Sequence, residues 1–206
     1  MTKRGVFSGV QLAIVTCVLG GMAAGLSACS SSPQLYTLAP KAGVPVAGSG
    51  SSVVEVRTPV VPARLDRDTI VQESKGYRTE LASGNSWSEA LPDMLGHTLA
   101  ADIGQRMPMS TVIAQNDAVT TTPTAYVEVT IRNFESDSSG YPIIIAALSA
   151  HSAASGSNAV VSTEPFVWRS SQYVGDNSDK LVAALSDGVS VLADHAVAKL
   201  NSLPRF

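Results

Sequence analysis

Three histidines are the residues of this 206-residue chain best suited to acid–base or metal chemistry. His97, His151 and His195 could each serve as a general base beside a serine nucleophile, or as a metal ligand. No Gly-x-Ser-x-Gly motif occurs. Ala101 and Lys199 stand four residues after the first and third histidines, where a helical metal site would place its second ligand. We therefore predict no catalytic or metal site at the histidines.

Two other patterns are equally weak as signs of chemistry. Asp66 and Asp68 flank Arg67, which fits a solvated turn as readily as a pair of catalytic carboxylates. The Gly-Ser-Gly stretch near residue 49 does not precede a predicted helix, so it is no phosphate-binding loop. The sequence thus predicts a binding or structural subunit rather than an enzyme, with no cofactor.

The first 28 residues have the pattern of a secretory signal peptide. Lys3 and Arg4 are the only charges before Lys41, and the apolar residues 10–19 follow them. A positive start and a short apolar region are typical of such signals. A membrane span needs about 20 apolar residues, and this run is shorter. A single uncleaved span reaching Ala28 is the alternative.

Cys29 carries the most specific chemistry in the sequence. Leu26-Ser27-Ala28-Cys29 matches the bacterial lipobox, in which a branched apolar residue and two small residues precede an invariant cysteine. The thiol would accept a diacylglyceryl group, and the small residues before it would give the lipoprotein signal peptidase access. Cys17 follows the larger Thr16 and lies nearer the charges, so it is not the predicted site. We predict that residues 1–28 are removed and that residues 29–34 form a lipidated tether.

Cleavage would change the charge of the chain. The full sequence has a net charge of −3, with 15% charged and 45% apolar residues. Without its first 28 residues it keeps 12 basic and 17 acidic residues, a net charge of −5, and one cysteine, which carries the lipid. The apolar content argues against a disordered chain, and the lack of clustered basic residues argues against nucleic-acid binding. By resemblance to well-studied bacterial lipoproteins, Ser30, where an aspartate would favour the inner membrane, favours an outer-membrane anchor.

Alternation of apolar and polar residues predicts most of the strands. Pro59 and Pro62 should lie at a sheet edge or a strand end, and Gly76 should turn a hairpin. The run Ile143-Ile144-Ile145 is apolar on both faces, which indicates a central strand or a contact between copies of the chain. The predicted strands are residues 35–38, 52–61, 69–73, 77–81, 125–132, 141–154 and 159–169.

Two helices are predicted from i+4 apolar spacing. The first begins at the capping box formed by Ser86 and Glu89 and ends before Pro108. The second runs from about Asp179 to Leu200. The resulting order of strands, helix, strands, helix predicts an α+β fold, a single domain in which two helices pack on one face of a mainly antiparallel sheet.

Four segments together resemble the PqiC-type family of auxiliary lipoproteins, which belong to ABC-type, MCE-associated intermembrane transport systems. They are the lipobox at Cys29 and the segments 35–38 (Leu-Tyr-Thr-Leu), 62–71 (Pro-Ala-Arg-Leu-Asp-Arg-Asp-Thr-Ile-Val) and 87–91 (Trp-Ser-Glu-Ala-Leu). The chain departs from the family at Arg64, where a tyrosine is usual, and at Ala90, where a proline is common.

The resemblance implies a periplasmic α+β domain over residues 35–206 that is anchored by its lipid in the outer membrane. It implies an MCE-domain protein as partner, with a permease and an ATPase further away, and a role in moving lipids between membranes and in envelope integrity. Leu65 would anchor its loop in the core, while Asp66 and Arg67 would pair locally or present charge to a partner. Trp87 is expected to be a core residue rather than an exposed binding residue.

Two other functions remain open at the level of sequence. One is an assembly factor for an outer-membrane complex, as LptE-like and TolB-like lipoproteins are. The other is an envelope hydrolase. Homo-oligomerisation also stays open, since the triple-isoleucine run would suit a contact between copies.

Overall fold

The structure is a computed structural model that describes residues 32–46, 52–118, 120–153 and 161–203. The predicted signal peptide and the predicted lipid attachment at Cys29 lie outside the described residues. The described part from Pro33 onward forms one compact unit.

Eight strands and two helices make up the described part of the chain. The strands are β1 (Gln34–Tyr36), β2 (Val53–Val56), β3 (Thr69–Lys75), β4 (Arg78–Trp87), β5 (Thr111–Ala114), β6 (Ala125–Ser136), β7 (Pro142–Ser152) and β8 (Val161–Arg169). The helices are α1 (Leu91–Arg106) and α2 (Ser178–Ser202).

The strands form one curled sheet in which β6 is the central member. The order is β1-β4-β3-β6-β2-β5, and β7 and β8 extend the sheet from the other side of β6. Pairs β3–β4, β6–β7 and β7–β8 are antiparallel, whereas β1–β4, β2–β5, β2–β6 and β3–β6 are parallel. The sheet is therefore mixed, and the expectation of a mainly antiparallel sheet was wrong in this detail. The parallel pairs join strands that are distant in sequence, so no local turn signal reveals them.

The hairpin and the long strands agree with the sequence analysis. Gly76, with φ of 56°, lies in the predicted turn between β3 and β4. Strand β7 lies between β6 and β8, so the isoleucine run belongs to an interior strand. Ile144 is fully buried on the helix side, while Ile143 and Ile145 are half-buried on the other face. The predicted start of β8 at residue 159 lies outside the described residues.

The first helix begins later than the capping box predicts. Trp87 is the last residue of β4, and α1 starts at Leu91 after Ala90, which makes no side-chain capping bond. Pro92 occupies the first turn, where its fixed φ and missing N–H cost nothing. The capping box was therefore wrong, because the strand register holds the Ser86 region extended against β1 and β3.

Two features of β2 and β5 depend on tertiary contacts. Strand β2 ends at Val56, before Pro59, as expected, but it lies between β5 and β6 and is not an edge strand. Strand β5, residues 111–114, was not predicted. It is only four residues long, and its pairing with β2 spans more than fifty residues of sequence.

Both helices pack on the sheet and on each other, which confirms the α+β class and the two-helix layer. The predicted stripe of α1 is buried, and so is that of α2. At Gly188 of α2, a Cβ atom would lie 2.6 Å from the side chains of both Ile144 and Trp168, so helix and sheet are in close contact there. Helix α2 is long and apolar enough to cross a membrane, but most of it is buried, as in the core helix of a soluble domain.

Candidate functional site

The loop between β2 and β3 presents two exposed charges above a buried anchor. Leu65 is 1% exposed, and its N–H donates to the Pro62 carbonyl at 2.8 Å. Asp66 and Arg67 follow at the surface, and neither forms an ion pair with another described residue. The burial agrees with the expected anchoring role of Leu65. Asp66 and Arg67 do not pair locally, so their charges are available to a partner.

Trp87 lies in the core beneath the same region. Its side chain is 5% exposed and packs at a tilted angle on Phe134, with 6.4 Å between ring centroids. Its backbone N–H donates to the Asp68 carbonyl at 2.7 Å. This bond joins the end of β4 to the loop that carries Asp66 and Arg67. The structure thus brings two sequence motifs together, with Leu65 and Trp87 inside and the charges outside.

Arg64, which departs from the family pattern, forms a two-pronged ion pair with Glu135. Its guanidinium contacts both carboxylate oxygens, at 2.9 and 3.1 Å, and donates to the Arg132 carbonyl at 2.6 Å. The Glu135 side chain is 1% exposed and also accepts from Asn133 at 2.6 Å. Planar pairing of this kind is the strong form of an arginine–carboxylate contact. Arg64 therefore holds the loop onto β6.

Replacing Arg64 with methionine should lower the free energy of unfolding by about 2 kcal/mol, because Glu135 would lose its counter-charge while staying buried. Asn133 would still satisfy part of the carboxylate, which limits the loss. Urea denaturation measures the change. The double variant Arg64→Met, Glu135→Gln should recover at least half of it, and equal destabilisation of single and double variants would show that the ion pair is not the cause.

The three histidines lie in separate places, each beside a different carboxylate. His97 contacts Glu89 at 3.3 Å, and His195 contacts Glu164 at 3.0 Å. His151 contacts Glu128 at 3.5 Å and stacks on the Tyr126 ring, with 5.1 Å between ring centroids. Within the described ranges, no group of three or more histidine, cysteine or acidic side chains could hold a metal ion. The structure brings no two histidines together.

A buried polar cluster that the sequence analysis missed joins the two helices. Arg106, 2% exposed, donates to side-chain oxygens of Asp194 and Ser190 and to the carbonyls of Lys41, Asp102 and Ser190. These five hydrogen bonds use every guanidinium N–H. The available signal was Asp102 and Arg106 at i, i+4 within an apolar helix, a spacing that ordinarily indicates a solvated pair.

The same cluster holds residues 37–46, which we call the N-terminal strap. The strap lies over the groove between α1 and α2, and its N–H groups donate to side chains of both helices. Leu38 donates to Met94 Sδ at 3.3 Å, Ala39 to Ser186 Oγ at 3.1 Å and Lys41 to Asp102 Oδ1 at 2.6 Å.

Further along the strap, the Val46 N–H donates to the Arg106 carbonyl at 2.7 Å. Gly43 lies so close to the guanidinium that an added Cβ would be 2.3 Å from Arg106 Cζ. Burial raises the pKa of the Asp102 carboxyl, while the Lys41 N–H and the Arg106 charge oppose this rise. The strap is thus held along its length by side chains of both helices and, at Val46, by a backbone carbonyl of α1.

Two surface cavities lie at opposite ends of α2. One, of about 330 Å³, lies between the end of the strap and the last turns of α2, and is lined by Val44, Val46, Arg106, Asp194, Val197, Ala198 and Asn201. The other, of about 250 Å³, lies beside β4 at the start of α2 and is lined by Gln72, Glu80, Leu81, Ala82, Ser83, Asn85, Asp176 and Ser178.

Comparison with known families identifies the fold that carries these features. The profile of the ABC-type transport auxiliary lipoprotein component matches residues 36–197, from the end of β1 to the last turns of α2. The chain belongs to this family. The match includes the Leu65–Arg67 loop, Trp87 and the Arg106 cluster.

Solved structures support the fold of this auxiliary lipoprotein. A crystal structure of an uncharacterised protein superposes with a TM-score of 0.64 at 19% sequence identity, covering 82% of this chain and 99% of that one. Protein XCC0632 from Xanthomonas campestris superposes with a TM-score of 0.58 at 16% identity, covering 80% and 92%. No curated protein matches the sequence. At these identities the structures establish the fold and nothing further.

The residues singled out in the sequence thus divide into a buried pair, Leu65 and Trp87, and an exposed pair, Asp66 and Arg67. The buried pair has a structural role in the core. The exposed pair lies on a loop fixed from below by Leu65 and from the side by Arg64. Asp66 and Arg67 thus present two opposite charges at the surface, without an ion-pair partner among the described residues.

Proposed function

We propose that this auxiliary lipoprotein is a non-catalytic, lipid-anchored periplasmic subunit of an MCE-associated, ABC-type system that moves lipids between membranes and supports envelope integrity. The observation that carries the proposal is the family match over residues 36–197, which describes a transport auxiliary lipoprotein. The lipobox at Cys29 supports a lipid anchor, and Ser30 after it favours the periplasmic side of the outer membrane. The partners are an MCE-domain protein and, through it, a permease and an ATPase.

The exposed loop at Asp66 and Arg67 is the surface we assign to the MCE partner. Both side chains are accessible and have no ion-pair partner among the described residues, so a partner can bind them without breaking an internal contact. The backbone beneath them is fixed, which reduces the entropy lost when a complex forms. Charged rims of this kind give specificity and orientation to an interface.

Co-purification tests both the partner and the surface. We expect the wild-type lipoprotein, solubilised from membranes, to co-purify with the MCE-domain protein, and we expect Arg67→Glu to weaken this association about tenfold. The free energy of unfolding of the Arg67→Glu variant should differ from that of the wild type by less than about 0.5 kcal/mol, because Arg67 is exposed. Lys180→Glu is the matched control, since it makes the same charge change at an exposed position of α2.

The two parts of the proposal fail separately. If the wild-type protein does not associate with the MCE-domain protein, the transport role is wrong. If it associates and Arg67→Glu binds as well as Lys180→Glu, the transport role stands and the assigned surface is wrong.

A further inference from the structure

Strand β4 pairs with β1 only at its C-terminal end, and the rest of the same edge has no neighbouring strand in the described chain. Strand β1 covers only Asn85, Ser86 and Trp87 on the side of β4 away from β3. Along Arg78–Ser83, no strand of the described chain pairs on that side. Most of these residues are exposed, including Leu81 at 43%. Unpaired backbone groups on such an edge are a template for another strand.

The described N-terminal residues do not continue along this edge. Pro33, which would come next to Gly84 if β1 were extended, has no N–H to donate. Gly84 itself has a φ of 74°, which breaks the regular strand conformation at that point. The register therefore stops at Gln34, and the strand edge beyond Gly84 stays open to a separate segment.

The chemistry beside the edge favours a basic partner. Four consecutive β4 residues, Glu80–Ser83, line the 250 Å³ cavity, so the cavity follows the strand. Glu80 and Asp176 bring two carboxylates to it, and neither forms an ion pair within the described ranges. The nearby Lys75 is bound to Glu73 at 2.9 Å. The Lys75 charge also interacts with Glu80 and Asp176, but no lysine or arginine lines the cavity, which is therefore acidic on balance.

The alternation of side-chain directions along β4 also indicates which residue pattern the partner segment should have. Glu80 and Leu81 are neighbours, so their side chains point to opposite faces of the sheet. A strand added beside them would place one of its faces near the carboxylates and the other near the exposed leucine. Opposite charges and paired apolar residues both stabilise adjacent strands. The best match is an extended segment in which basic and apolar residues alternate.

We propose that the Arg78–Ser83 edge of β4 binds an extended segment of a partner polypeptide, with a lysine or arginine side chain of that segment in the cavity at Glu80 and Asp176. This is recognition by strand addition, in which backbone hydrogen bonds supply affinity and side-chain positions supply specificity. It concerns a different surface from the Asp66–Arg67 loop and does not depend on the identity of the transport system.

A pair of synthetic peptides tests the proposal with the purified domain. The probes are acetyl-Val-Lys-Val-Lys-Val-Lys-amide and its counterpart with glutamate in place of lysine. We expect the lysine peptide to shift the backbone amide resonances of residues 78–83 and of Asp176, and the glutamate peptide to leave them unchanged. Glu80→Lys and Asp176→Asn should each weaken binding of the lysine peptide, the first about tenfold or more.

Glu128→Lys is the matched control, because it reverses an exposed carboxylate on β6 and should leave binding unchanged. Equal binding of both peptides, no binding of either, or equal binding by wild type and Glu80→Lys would overturn the proposal. Self-association that Glu80→Lys abolishes, measured by sedimentation across a dilution series, would also overturn it and assign the edge to a second copy of this chain. None of these results bears on association with the MCE-domain protein.

Discussion

Arg106→Met is expected to lower the free energy of unfolding by about 3 kcal/mol, the largest loss we predict for a single charged residue of the domain. Arg106 makes five hydrogen bonds, and three of its acceptors are backbone carbonyls of the strap and the two helices. Methionine would keep much of the apolar stem but leave these carbonyls without their donor. The Asp194 side chain is 59% exposed and would be hydrated in the variant. Loss of its ion pair with Arg106 therefore adds little to the destabilisation.

Urea denaturation measures this loss of unfolding free energy, provided that the m-value is the same for variant and wild type. Amide hydrogen exchange shows which residues are affected. We expect residues 38–46 to exchange faster in Arg106→Met, because the strap is held by the same cluster. Arg132→Met is the control, since Arg132 is an exposed arginine whose side chain makes no described ion pair. It should change stability by less than about 0.5 kcal/mol. A loss below 1 kcal/mol for Arg106→Met would show that the cluster is not a stabilising centre.

The second large effect concerns membrane attachment. Cys29→Ala should reduce palmitate labelling to background and leave the 28-residue signal peptide attached, because alanine has no thiol to receive the diacylglyceryl group. Several acyl chains, each contributing about 0.8 kcal/mol per buried CH₂, give the wild-type protein a lasting anchor. Because the retained signal peptide is itself apolar, palmitate labelling and the higher mass of the unprocessed precursor measure the loss.

Cys17→Ala provides the matched control for that experiment. It removes the other cysteine and should leave labelling and processing unchanged, because Cys17 lies outside the lipobox. Normal labelling of Cys29→Ala would refute the lipobox assignment. Loss of labelling in Cys17→Ala alone would transfer the attachment to that residue.

Local periodicity correctly predicted the helices and strands whose own residues show the apolar pattern of a buried face. The α1 stripe of Leu91, Leu95, Leu99 and Ile103 is at most 2% exposed, and the alternation in β6 and β7 matches their buried faces. The start of α1 was misplaced because a capping box is a local signal, whereas the strand pairing of Trp87 is not. Strand β5 and the parallel pairs were missed for the same reason.

The candidate site residues divide in the same way into those that local sequence predicts and those that depend on tertiary contacts. Trp87 could be assigned to the core from its large apolar surface, and the family resemblance implied the same for Leu65. Arg106 could not, since charged side chains are almost never fully buried unless partners surround them. Four of its five hydrogen bonds go to the strap and α2, 65 and 84 or more residues away in sequence. Arg64 shows an intermediate case, in which a departure from the family pattern marked a position whose partner, Glu135, only the fold reveals.

The course of the strap determines how the domain would bear a mechanical load. The strap advances along α2 in the direction of the helix, from Ala39 beside Ser186 and Lys41 beside Asp187 to Val46 beside Val197. Tension directed along the groove would therefore load the strap parallel to its own course. The contacts would be strained together in shear rather than opened one after another, as in peeling. The strap would then keep the two helices together until all of these contacts failed.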